Sequence, residues 1–163
     1  MGQIVHPGQQ FVAKVHYSPV TYQRILDCFT SHNPWFETAV LVDIASCEGV
    51  PRNERTLVFE YVDATHSFRG CSMCACDAVD MVMPRLGLRP ALLEEAFSFM
   101  KAFPEEVDGP GIGVLGTLAV SERDKSGICI FGLHIGMASQ DMTIGYLGKG
   151  GRFLAVRESL CRV

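Results

Sequence analysis

Seven cysteines punctuate this chain, and three of them crowd into Gly70-Cys71-Ser72-Met73-Cys74-Ala75-Cys76-Asp77. A helical run is expected from Cys71 to about Met83, so Cys71 stands at or near a helix N-terminus. Backbone N–H groups and the helix dipole there stabilise a thiolate and lower the thiol pKa. Gly70 leaves room for a substrate to approach. A cysteine nucleophile needs a base, usually histidine. His134 supplies one, inside the strand pattern Gly132-Leu133-His134-Ile135-Gly136. Glycines beside a strand histidine open space for a ligand.

The pair Gly70-Cys71-Ser72 and His134-Ile135-Gly136 resembles the NlpC-type cysteine peptidases of the papain-like group. The later stretch Gly150-Gly151-Arg152-Phe153-Leu154-Ala155-Val156 is similar to that family's next strand. The resemblance spans residues 68–160. It implies amide hydrolysis or acyl transfer through a thioester, on a peptide substrate of the peptidoglycan type. Cys71 would attack the carbonyl, and His134 would take its proton and pass it to the leaving amine. The Cys71 N–H would be one oxyanion donor.

The departures from the family pattern are specific. The family has Asp before the nucleophile, and Gly70 stands there instead. The position expected to orient the histidine holds Ala155, with Gln140 or Asp141 as the substitutes at hand. Without an orienting group the imidazole tautomer is less well set.

Two other readings stay open. Cys71 and Cys74 have the C-x2-C spacing of zinc sites, Cys76 adds a third thiolate, and His66 could be the fourth ligand. Against this, one helix aims those thiolates in different directions, and no second C-x2-C follows. No cofactor is otherwise called for. The other reading is a non-enzymatic, partner-binding or chaperone-like module, which fold alone does not exclude. Cys28, Cys47 and Cys129 read as small buried hydrophobes, as free cysteines often are.

The elements that must position these groups follow from pattern. Phe11–Tyr17, Thr38–Ala45 and Thr56–Asp63 read as strands, the last two as an antiparallel hairpin with a long connection. Residues 20–30 read as a helix stopped at Pro34. Pro90 is expected to open a helix with Leu92, Leu93, Ala96, Phe97, Met100 and Phe103 on its apolar stripe. Glu94 and Glu95 suit its positive end, and Lys101 its negative end. Residues 104–116 read as a loop. Beyond it the chain reads as β: residues 114–120, 128–138, 143–147 and 152–156. The expected fold is α+β, a mainly antiparallel sheet packed against two to three helices. It forms a single domain over residues 1–163, divided into an N-terminal portion (1–65) of unassigned role and a papain-like core (66–163).

Composition bounds the partners. The chain has 163 residues, 20% of them charged, and a net charge of -4. Its mean hydropathy of +0.19 supports a packed core rather than a disordered chain. The acidity argues against a broad nucleic-acid surface, which needs clustered Lys and Arg. No run of about 18 apolar residues and no signal-peptide pattern is present, so a cytoplasmic protein without a membrane partner is expected. The odd cysteine count fits free thiols better than a disulfide framework. A peptide-like substrate, a protein partner or a homo-oligomer remain compatible with this composition.

Overall fold

The computed structural model describes residues 9–17, 23–24, 27, 40–63, 82–107, 111–123, 127–138, 141–146 and 152–158. Its strands are β1 (Phe11–Val15), β2 (Val40–Asp43), β3 (Arg55–Asp63), β4 (Leu88–Pro90), β5 (Ile112–Arg123), β6 (Gly127–Ala138), β7 (Asp141–Tyr146) and β8 (Arg152–Arg157). The helices are α1 (Met83–Arg85), α2 (Leu93–Ala102) and α3 (Pro104–Val107). A 3-10 turn covers Ala45–Cys47. The architecture is α+β. No helix among the described residues is long and apolar enough to cross a membrane.

The strands form one sheet in the order β1-β3-β8-β5-β6-β7, with β2 joined to β5 and β4 to β8. The sheet is mixed, which corrects the expectation of a mainly antiparallel one. At its centre β5 runs parallel to β8 through Gly113 and Phe153, beside antiparallel neighbours such as β3–β8 and β5–β6. The expected hairpin of the second and third strands is also corrected. β2 pairs with β5, Asp43 facing Thr117, and β3 pairs with β1 and β8. Alternating hydrophobicity sets which face a residue takes, but it leaves the choice of neighbouring strand open.

Burial explains the layering. In β1, Phe11, Ala13 and Val15 are buried while Val12 and Lys14 are exposed, the period-two pattern of a half-covered strand. In β8 four consecutive residues, Phe153 to Val156, are buried, as a strand covered on both faces requires. Leu154 and Val156 join the large core with Phe59, Phe99 and Ile112. Phe153 and Ala155 pack on the other face with Met83, Leu88 and Leu115. Thus α2 covers one face, and α1 covers part of the opposite one.

Helix α2 is more deeply placed than its apolar stripe suggests. Every residue from Leu93 to Met100 is buried, Glu94, Glu95 and Ser98 among them. Phe99, outside the expected stripe, packs against Phe11, Phe59, Tyr61 and Phe103, with ring centroids 5.2–5.9 Å apart. Such spacing suits edge-to-face and tilted aromatic contacts. Pro90 ends β4 rather than opening the helix, and residues 104–107 form the turn α3 rather than loop. Pro84 lies within α1 at its first turn, where a missing N–H costs no helical bond. Gln23, Arg24 and Asp27 are helical, and the Gln23 amide donates to Asp27 Oδ1 at 2.8 Å, four residues on.

Candidate functional site

The start of α2 lacks a cap of its own, because Leu92 at the N-cap position has no side-chain acceptor. Thr117 on β5 supplies the acceptor instead. The Leu93 N–H donates to Thr117 Oγ1 at 3.0 Å, and that hydroxyl lies 3.5 Å from Asp43 Oδ1, to which it donates. Gly116 makes the approach feasible. Its N–H donates to Ala91 O at 2.9 Å, and its carbonyl accepts from Ile44 N–H at 3.0 Å. A Cβ at Gly116 would sit 2.4 Å from Ala91 O. The end of β2, the middle of β5 and the start of α2 are therefore tied at one point.

Beside this junction lies a cleft of about 340 Å³ lined by Tyr17, Leu41, Asp43, Arg52, Leu93, Glu94 and Thr117. Arg52 bridges its two acids: Nη2 donates to Asp43 Oδ2, and Nε donates to Glu94 Oε1 at 3.4 Å. Glu94 is only 6% exposed, and its Oε2 is shut off from water with no hydrogen-bond partner. Such an atom calls for an explanation, since nearly all buried polar atoms are paired.

A second layer stands behind the cleft. Glu95 is fully buried and holds Arg89 of β4 through two bonds, Nη1 to Oε2 and Nη2 to Oε1, each 3.0 Å. The Tyr17 hydroxyl donates to Glu95 Oε1 at 3.2 Å. Burial raises the Glu95 pKa despite the opposing pull of Arg89. Burial, reinforced by the Glu95 charge, pushes Tyr17 up to about 12, so its hydroxyl keeps its proton at neutral pH. The nearby Arg55 charge opposes that rise, and the buried Arg55 Nε has no hydrogen-bond partner. Cys47 Sγ donates to Pro90 O at 3.5 Å. Burial pushes its thiol up to about 11, and the side chain is 1% exposed. It is an inert packing thiol, as expected for a buried free cysteine.

The residues singled out from sequence fare unevenly. Cys71, Cys74, Cys76 and His66 lie outside the described residues, as do Gly70 and Gln140, so the cysteine–histidine pair and the metal set fall outside what the structure describes. His134 lies on β6 and is half-buried. Its register partners are glycines on both sides, Gly113 of β5 and Gly145 of β7. Its ring edge rests against Gly111. That residue has φ +72°, and a Cβ there would lie 2.4 Å from His134 Cε1 and 2.7 Å from Nε2. Ala155 is fully buried and faces Glu60 on β3. Asp141 opens β7 opposite Ala138, four register positions from Gly145. At about 3.3 Å per residue that is roughly 13 Å along the strand. Among the described residues no group of three or more His, Cys, Asp or Glu could hold a metal.

The cleft itself escaped sequence reasoning. Its residues come from β1's exit, β2, the following loop, α2 and β5, and no short motif links them. The one available signal was the pair Glu94-Glu95 at a helix start, which reads equally well as ordinary dipole compensation. Comparison with known proteins adds no kinship: no protein-family model, no curated protein and no solved structure matches this chain.

Proposed function

We propose that this chain is a binding module whose ligand occupies the cleft at the start of α2. One observation carries the reading: a concave site with apolar walls, Leu41 and Leu93, on which a few polar groups converge from separate elements. Ligand sites have this composition, and their usual volumes begin near about 300 Å³. The buried Arg89–Glu95 pair supports it as a rigid backing. The test is a screen of small ammonium, neutral and carboxylate compounds against the whole chain by methyl and amide NMR. A ligand should shift Leu41, Leu93 and Thr117 together, and Leu41→Trp, which fills the space, should abolish its binding. If no compound moves these signals, the reading is wrong.

A second reading keeps the thiol chemistry, with Cys71 attacking an amide carbonyl of a peptide and His134 as base. It is supported by the half-buried His134 with glycines on both neighbouring strands, together with the sequence around Cys71. A thiol-directed electrophile should then label Cys71 ahead of the other cysteines at neutral pH. His134→Ala should slow that labelling by about 10²-fold, the usual scale of general-base assistance. Even labelling across the cysteines would end this reading.

A further inference from the structure

We draw no further inference here: the strongest candidate, the apolar face of β2 and β5 on which exposed Val40 and Val42 stand beside the half-buried Val120 and Leu118, carries nothing, because nothing in the structure shows what covers it.

Discussion

Arg89 and Glu95 meet face to face through two parallel hydrogen bonds of 3.0 Å, with side chains only 7% and 0% exposed. The pair joins β4 to α2 across six positions of sequence, and Arg89 Nη1 also donates to Pro90 O at 3.1 Å. Desolvating two charges offsets most of their attraction, so such a pair adds little net stability, yet removing one partner strands the other. Arg89→Met should therefore destabilise the fold by about 3–5 kcal/mol, whereas Arg89→Met with Glu95→Leu should recover much of that loss. Denaturant unfolding of the single and double variants measures both.

Thr117 caps a helix 24 residues before it in sequence. Thr117→Val keeps the shape and removes the acceptor. The expected cost is about 1 kcal/mol, the usual scale of a lost N-cap, read as a lower denaturant midpoint with an unchanged slope.

Two glycines with positive φ separate backbone cost from crowding. Gly49, at φ +79°, has nothing within 4 Å of a Cβ, whereas a Cβ at Gly111 would meet the His134 ring and Ile135 O below 3 Å. Gly49→Ala should cost about 1 kcal/mol. Gly111→Ala should cost at least about 2 kcal/mol, since contact is added to strain. The thermal midpoints of the two variants should therefore fall in that order.

Glu60 sets part of the acid limit. Burial opposes its charge, but hydrogen bonds from Arg157 and Gln10 outweigh that, and its pKa is held below the ordinary value of 4.5. Arg157 Nη2 donates to Oε2 at 3.0 Å and Gln10 Nε2 to Oε1 at 2.8 Å. A lowered carboxylate stabilises the fold fully above its unfolded pKa, and that share is lost as pH falls through the folded value. Glu60→Gln should flatten the decline of stability below about pH 4.5. Glu95, whose pKa is raised, has the opposite sign: its contribution declines as pH rises from the unfolded value towards the folded one.

Cys47 should resist alkylation in the folded chain, because burial keeps its thiol protonated, with a pKa of about 11. Peptide mapping after a timed alkylation should find it modified only once denaturant is added. Early modification would show that the junction at Pro90 opens.

Much of the local structure was legible in the residues. The alternation in Phe11–Val15, the β-rich run of Thr56–Asp63 and the glycine-bounded strands after residue 112 appear where their patterns place them, because period-two burial and turn chemistry act over a few positions. The α+β class follows from the grouping of those strands. The partners of β2 and β3, the parallel contact of Gly113 with Phe153, and the burial of Glu94 and Glu95 did not follow. They depend on which distant segments come to lie side by side, and local propensity carries no term for that. Likewise His134 was visible as a strand histidine between glycines of its own segment. Only the packed chain set Gly111, Gly113 and Gly145 around it, and only the packed chain gathered Tyr17, Asp43, Arg52, Glu94 and Thr117 into one cleft. Side-chain type and short-range order are written along the chain; charge pairing and a cavity exist only where separate stretches meet.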